Sequence, residues 1–241
     1  MIEPGTGTRG EAVAAWIRKR IVNGEFPPDT HLQEQVIGNL TGTSRTPVRE
    51  ALKLLQREQL VIYSPNRGYV VRRFSLKDIL DAFEVRAMLE GMVCHIAAAK
   101  GLDGETQTAL LDNVAEMGRV AFSTVWGEGE SLRCFDLNFH FHRLLIAAAD
   151  NQMLAATIAQ TQRLPLIFDS ERRLQNVSRV SRLFESGDMR RSCRDHEEIL
   201  AAIRARDAAS AERLMREHIL KSRASIAQNF ARAYPENAGG S

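Results

Sequence analysis

Apolar residues recur at helical spacing in one basic stretch of the N-terminal quarter of the chain. They fall at positions i, i+3, i+4 and i+7, a pattern that predicts one buried stripe on an amphipathic helix. The residues of the stripe are Val48, Ala51, Leu52 and Leu55. Pro47 suits the first turn of this helix, where a missing backbone N–H costs little. We therefore expect a short helix with one buried face and exposed cationic faces.

The exposed faces of this helix carry Arg45, Thr46 and Arg49. Arginine can pair bidentately with a guanine edge, and a helix N-terminus with nearby hydroxyls can bind phosphate. The helix is thus a candidate for the major groove of DNA. Taken alone, such a helix is more often a solvated basic face, so its neighbours in the sequence decide between the two interpretations.

Two further helices are predicted upstream, over residues 11–22 and 33–40. The turn between them contains Pro27 and Pro28, which cannot continue a helix. The second helix ends at a tight turn containing Gly42, and the basic helix follows at once. Two helices joined in this way are typical of a helix-turn-helix.

A β-hairpin is predicted directly after the basic helix. Two short runs rich in β-forming residues, over 60–63 and 69–71, flank a turn rich in Pro, Asn and Gly. A hairpin in this place is the wing of a winged helix. Its tip carries Arg67 and Gly68, which could reach the minor groove or a phosphate. For Arg67, a solvated turn residue is the alternative.

The chain from residue 75 onward is predicted to be almost entirely helical. Ser75 and Asp78 have the spacing of a capping box. The chain is expected to break at Gly101, at residues 127–129 and at residues 186–188. The predicted helices cover residues 75–100, 105–126, 131–149, 151–163, 166–183, 189–206 and 208–231.

The change from a winged helix to an all-helical pattern predicts the domain organisation. We expect a DNA-binding domain over residues 1–74, a helical domain over residues 75–232 and a flexible tail over residues 233–241. The fold class is mainly α, a winged helix-turn-helix followed by an all-α bundle. At 241 residues the chain is long enough for this arrangement.

Charge and cysteine usage agree with a cytoplasmic DNA-binding protein. Residues 1–74 hold 11 Lys and Arg against 7 Asp and Glu, whereas the rest holds 21 against 23. The positive excess lies with the basic helix and favours an anionic partner there. Three widely spaced cysteines indicate reduced thiols. The sequence shows no signal peptide and no run of about 18 apolar residues, so we expect no membrane span.

Two residues of the helical half have the spacing of metal ligands on one helix. Asp136 and His140 stand at i and i+4, which places them on the same face with Cβ atoms about 5–6 Å apart. An isolated pair of this kind is more often a surface hydrogen bond. His142 lies two residues further on and is not expected to join them.

The last two predicted helices carry a second pair of candidate ligands. His196 lies eleven residues before Asp207 and His218 eleven residues after it. If the helices form an antiparallel hairpin that turns at Asp207, both imidazoles lie about 16 Å from the turn, at the same height. Together with the first pair they form a set of three imidazoles and one carboxylate. Such a set suits Zn, Ni, Mn or Fe and leaves positions open for water or a ligand.

These residues together resemble the GntR superfamily of bacterial transcription regulators. The similarity is greatest to its fatty-acid-regulator-like branch, in which a winged helix precedes an all-helical effector domain called FCD. It covers about residues 11–222. The quoted matches are residues 44–52, Gly68, residues 84–86, 89–90 and 138–140, Asp136, Asn151, His196, Ile199, Asp207 and His218.

The resemblance implies specific roles for these residues. Arg45, Thr46 and Arg49 would contact DNA, with Gln35 and Gly68 as lesser contacts. A divalent metal, most plausibly Zn, would be held by Asp136, His140, His196 and His218. Arg86 would hold a carboxylate effector, with Asn138 as a second candidate. An intramolecular salt bridge is the alternative role of Arg86.

Three positions depart from the family pattern. Asp29 and Gln59 stand where the family usually has glycine, which bears on the geometry of two turns. Gln35 stands where some members carry a DNA-contacting arginine, which bears on the operator sequence.

The leading hypothesis is a homodimeric repressor that reads a palindromic DNA operator and responds to a small organic acid. Acid binding at the metal would change the population of DNA-binding states. A metal-dependent enzyme is one alternative, because an open metal site can activate water. A sensor of the metal ion itself is another.

Overall fold

A computed structural model describes residues 8–22, 24–73, 75–161 and 184–233. These residues form two compact units that are divided between Arg73 and Ser75. The predicted helix over residues 166–183, the end of the helix predicted over 151–163 and the tail beyond residue 233 lie outside the described residues. Among the described helices, none is long and apolar enough to span a membrane.

The first unit is the predicted winged helix. Its helices and strands follow the order expected from the sequence, and the two strands pair antiparallel with Val61 opposite Val71. The elements are α1 (Arg9–Val22), α2 (Glu34–Thr41), α3 (Arg45–Arg57), β1 (Val61–Ser64) and β2 (Gly68–Val71).

The stripe of α3 forms the centre of this unit. Its four predicted core residues are all fully buried, as the helical spacing requires. They pack with α1 through Val13 and Ile17, and with Leu32 and Ile37 from the segment that contains α2. Burial of a leucine of this kind stabilises the fold by about 1.5–3 kcal/mol. The buried stripe turns the basic face of α3 toward solvent.

The two positions where glycine was expected both adopt a left-handed backbone. Asp29 has φ +68° and Gln59 has φ +58°. A side chain in this region costs roughly 1–2 kcal/mol, which is why glycine is favoured there. Each residue has a compensating contact: the carboxylate of Asp29 accepts from Arg73, and the amide oxygen of Gln59 accepts from Arg72 at 2.7 Å.

The second unit is helical throughout its described part. α4 (Leu76–Lys100) packs along α9 (Ala208–Ala233) for most of its length. It also contacts three other helices of this unit, α6 (Glu128–Ala149), α7 (Gln152–Thr161) and α8 (Ser186–Arg204). The capping box of Ser75 and Asp78 is present at the start of α4. The elements are α4 (Leu76–Lys100), α5 (Gly104–Ala121), α6 (Glu128–Ala149), α7 (Gln152–Thr161), α8 (Ser186–Arg204) and α9 (Ala208–Ala233).

Two predicted breaks contain the starts of helices, so α6 and α8 begin three residues earlier than expected. The N–H of Gly127 donates to the carboxylate of Glu130 at 2.9 Å, and α6 begins at the next residue. The N–H of Glu185 donates to Asp188 at 2.9 Å, and α8 begins at Ser186. In both places an acid three residues ahead caps the first turn, and this local bond outweighs the low helix propensity of glycine.

Candidate functional site

The basic face of α3 presents the predicted DNA contacts. Arg45, Thr46 and Arg49 are exposed near its N-terminal end. The two arginines are held from α2, because Arg45 donates to Oε1 of Gln35 at 2.6 Å and Arg49 donates to Glu34 at 2.8 Å. The predicted lesser contact Gln35 thus lies beside Arg45.

The wing presents Arg67 and Gly68 at the end of the hairpin. Arg67 is exposed, and its carbonyl oxygen lies 3.1 Å from Nδ1 of His31. Gly68 has φ +73°, and a Cβ added there would meet no heavy atom within 4 Å. Glycine is therefore favoured at this position by the backbone conformation, not by lack of space.

Three histidines meet in the interior of the helical unit. His142 on α6, His196 on α8 and His218 on α9 are all buried. Each offers a ring nitrogen, and these nitrogens lie within 4.8 Å of one another. The rings of His196 and His218 have centroids 4.8 Å apart, so the prediction that they lie level across the hairpin is confirmed.

The structure corrects the other half of the predicted ligand set. Asp136 and His140 are exposed on α6, and His142 joins the two other histidines instead. The i, i+4 spacing placed Asp136 and His140 correctly on one face of α6, but that face is turned to solvent. Spacing along a helix does not tell which face is buried.

The pattern of apolar residues along α6 could have identified His142. Its buried residues include Phe135, Leu145 and Ala149, which mark the inner face of the helix. His142 follows Phe135 by seven residues and precedes Leu145 by three, so it continues this stripe. An imidazole on an apolar stripe is buried, and a buried imidazole needs partners.

Carboxylates hold two of the three imidazoles. Nδ1 of His142 lies 2.5 Å from Oε2 of Glu90, and Nδ1 of His218 lies 3.2 Å from Oδ2 of Asp195. Burial alone would raise the pKa of Glu90, but the guanidinium of Arg86 and the hydrogen bond from His142 outweigh it and lower that pKa to about 2. An ionised carboxylate only accepts hydrogen bonds, so Nδ1 of each ring carries the proton.

This arrangement leaves Nε2 of both rings as the unprotonated nitrogen. The two Nε2 atoms face each other at 3.3 Å. Two lone pairs at this distance repel each other unless a cation lies between them or one ring takes up a second proton. Burial lowers the pKa of His218 to about 4, which disfavours a second proton on that ring. Imidazoles bound to one tetrahedral Zn at about 2.0–2.1 Å have nitrogens about 3.3 Å apart, and the observed distance fits this value.

Among the described residues, the third imidazole has no hydrogen-bond partner. Neither ring nitrogen of His196 is bonded, although the ring is fully buried and stacks on Phe141 with centroids 3.9 Å apart. Burial also lowers the pKa of His196 well below its usual value, with smaller contributions from His218 and His142. A buried, neutral and unpaired imidazole is costly unless a ligand uses its lone pair. The cluster therefore fits a divalent metal bound by nitrogen.

The predicted effector residues lie next to this cluster. Arg86 is buried and donates to Glu90 at 2.7 Å, so the structure contains the salt bridge that was its alternative role. Glu90 thus links Arg86 to His142. Asn138 is half-buried and precedes His142 by four residues, which places both on one face of α6.

Sequence comparison identifies the two units. The GntR family of bacterial regulatory proteins matches residues 9–71, and the FCD domain matches residues 81–221. The chain belongs to the GntR family and carries an FCD domain. GntR regulators of this type bind DNA operators through the winged helix and effectors through the FCD domain. The protein is therefore a DNA-binding transcription regulator and not an enzyme.

Several relatives of this GntR protein are repressors by name. The HTH-type transcriptional repressor GlaR of Escherichia coli is 30% identical over 207 residues, which are 85% of this chain and 90% of GlaR. The gluconate operon transcriptional repressor of Bacillus subtilis is 30% identical over 200 residues, 83% of this chain and 77% of that protein.

Solved structures show the same fold. McbR/YncC of E. coli matches with a TM-score of 0.63 and 18% identity, over 93% of this chain and 100% of that one. A putative GntR regulator from Rhodococcus sp. RHA1 matches with a TM-score of 0.60 and 23% identity, over 92% and 99% of the two chains. At these identities the similarity establishes the fold alone.

Proposed function

We propose that this protein is a repressor whose affinity for DNA is set by a small organic acid bound at a divalent metal in the FCD domain. The histidine cluster is the observation that carries the proposal. Three imidazoles from three helices converge, and two of them have their tautomers fixed by Glu90 and Asp195. Metal-bound histidines usually have such carboxylate partners, which orient the ring and raise its basicity.

His142, His196 and His218 would hold the metal. Three nitrogen ligands suit Zn best, with Ni, Mn or Fe as further possibilities, and they leave one or more positions free. A bound divalent ion would supply a positive charge that anchors a carboxylate in an otherwise buried place. Asn138 can add an amide oxygen to the metal or to the acid, because it shares a face of α6 with His142.

The winged helix would bind the operator through α3. Arg45 and Arg49 are exposed and one turn apart, so both can enter a major groove from the same side of the helix. Thr46 and the wing residues Arg67 and Gly68 would contact the phosphate backbone. Base contacts give specificity, whereas phosphate contacts fix the register.

A homodimer would supply the second half-site of a palindrome. α4 carries three exposed apolar residues on one side: Val85, Met88 and Met92 are 47%, 55% and 46% exposed. They stand at i, i+3 and i+7, on the side of α4 away from its buried residues. An apolar stripe along a helix is unfavourable in water, and a second copy of this chain would cover it.

The proposal is tested by DNA titration under three conditions. A duplex is first selected from a random library with the purified protein. Its affinity is then measured for the metal-loaded protein, for protein stripped with a chelator, and for loaded protein with a panel of two- to six-carbon carboxylic and hydroxycarboxylic acids. We expect at least one acid to weaken DNA binding of the loaded protein and to have no effect on the stripped protein.

A sensor of the metal ion is the second candidate function. It predicts that metal removal alone changes DNA affinity and that no acid has an effect. If neither metal nor any acid changes DNA affinity, the proposed effector site is wrong.

A further inference from the structure

We propose that Glu34 is a positioning residue for the reading of DNA by Arg49. This inference rests on the proposed contact between α3 and the operator. Glu34 opens α2, and its carboxylate reaches the exposed face of α3. Nothing in the sequence pattern singles it out, because an acid in the first turn of a helix is common.

The contact between the two side chains is specific in geometry. Nε of Arg49 lies 2.8 Å from both Oε1 and Oε2 of Glu34. The carboxylate thus accepts a hydrogen bond from the Nε–H of Arg49. The described hydrogen bonds include none from the two terminal nitrogens of Arg49 to this carboxylate. The side chain of Arg49 is 60% exposed and that of Glu34 is 29% exposed. Glu34 therefore fixes the plane of the Arg49 guanidinium, while the two terminal nitrogens of that guanidinium stay accessible.

A fixed guanidinium is suited to base recognition. Bidentate pairing with guanine requires two N–H groups that lie in the plane of the base. A free arginine has many rotamers and must lose this freedom on binding, whereas a side chain that is already held loses less. Gln35 also holds Arg45, but through a terminal nitrogen, with Nη2 of Arg45 at 2.6 Å from Oε1 of Gln35. Adjacent residues of α2 thus order both arginines of α3.

The sign of the charge separates this role from a general contribution to affinity. Glu34 is an acid at a surface that would face phosphates, so its charge weakens binding to every duplex regardless of sequence. Positioning of Arg49, in contrast, strengthens binding only to the duplex with the right base. The two effects have opposite signs and can be measured separately.

The test compares Glu34→Ala with a control acid of the same unit. Glu25→Ala removes an acid that pairs with Arg20 at 3.4 Å, and the described hydrogen bonds and ion pairs include none between Glu25 and α3. Each variant of the full-length protein is titrated with the selected duplex, with duplexes changed at single base pairs, and with an unrelated duplex at the same salt concentration. Circular dichroism checks folding, and Glu34→Gln serves as a second variant that keeps an acceptor.

We expect Glu34→Ala to lower discrimination between duplexes at one base pair about five- to tenfold. This is less than the effect of losing the bidentate contact entirely, because Arg49 is still present. Its affinity for the unrelated duplex should not fall, and Glu25→Ala should keep full discrimination. Glu34→Gln should retain part of the discrimination at that base pair. In an Arg49→Ala background, Glu34→Ala should cause no further loss at that base pair.

Two results would overturn the inference. One leaves the proposed DNA contact of Arg49 intact, and the other overturns that contact as well. If Arg49→Ala loses discrimination but Glu34→Ala and Glu34→Gln keep it, the positioning role is wrong and the DNA contact stands. If Arg49→Ala keeps full discrimination, the proposed base contact is wrong as well.

Discussion

Nε2 of His142 and Nε2 of His218 face each other at 3.3 Å, and each ring presents its other nitrogen to a carboxylate. The two residues are 76 positions apart in the chain and come from α6 and α9. Their opposed lone pairs are the strongest indication of a metal site in the described structure, and they make the carboxylates part of that site.

Asp195 should contribute to metal affinity although it does not belong to the three-histidine cluster. It accepts from Nδ1 of His218 and pairs with Lys221 at 2.7 Å. Loss of such a partner typically lowers metal affinity about 10–100-fold. We therefore expect Asp195→Asn to weaken Zn binding by this factor in a chelator competition assay. Asp136→Asn, the same change on the exposed face of α6, should leave the affinity unchanged; equal affinity in both variants would argue against the role of Asp195.

The stability of the metal-free protein should fall at mildly acidic pH. The pKa of His218 is 6.5 when exposed and about 4 in the fold, where burial is the main cause of the shift. Between these values the unfolded state binds the extra proton and the folded state does not. The free energy of unfolding should therefore decrease as the pH falls from 6.5 to 4, by up to about 3 kcal/mol from this residue.

Urea unfolding of the chelator-treated protein at several pH values measures this dependence. His218→Gln should flatten the decrease, whereas His140→Gln, which removes an exposed histidine, should keep it. A steeper or unchanged slope in His218→Gln would contradict the assignment.

Gln59 should be a site where glycine stabilises the winged helix. Its φ of +58° is unfavourable for a side chain. Gln59→Gly should exceed Gln59→Ala in stability by about 1 kcal/mol, because both lose the contact to Arg72 and only glycine avoids the strain. Trp16 fluorescence in a Trp126→Phe background reports on this unit during urea unfolding. Equal midpoints for the two variants would show that the backbone is relaxed at this position.

The exposed stripe of α4 should mediate self-association. Met88→Glu would place a charge in the middle of that stripe and should convert a dimer to a monomer in sedimentation at micromolar concentration. Met153→Glu is a matched control on α7, because Met153 is also exposed. A monomeric wild-type protein, or a Met88→Glu protein that stays dimeric, would exclude this interface.

The sequence predicts those parts of the fold that depend on local patterns. The stripe of α3, the hairpin and the symmetric placement of His196 and His218 about Asp207 all follow from periodicity and helix geometry, and the structure confirms them. The break predicted at Gly127 is confirmed, but the helix starts expected at residues 131 and 189 lie at Glu128 and Ser186, because capping hydrogen bonds decide the start of a helix.

The metal ligands on α6 were predicted on the wrong face for a different reason. Residue spacing gives the angle between two side chains but not the side that packs against α8 and α9. The apolar stripe contains that information, and it points to His142. The pairing of Glu90 with His142 joins residues 52 positions apart, and no local pattern predicts such a contact.

The metal content of three purified proteins tests the central claim most directly. Wild-type protein, His142→Ala and His140→Ala are stripped with chelator, incubated with Zn, desalted and subjected to elemental analysis. We predict one Zn per chain in the wild type and in His140→Ala, and a clear loss in His142→Ala, because His142, and not the exposed His140, lies with His196 and His218. Absence of Zn from the wild type, or loss of Zn in His140→Ala with retention in His142→Ala, would contradict the three-histidine site.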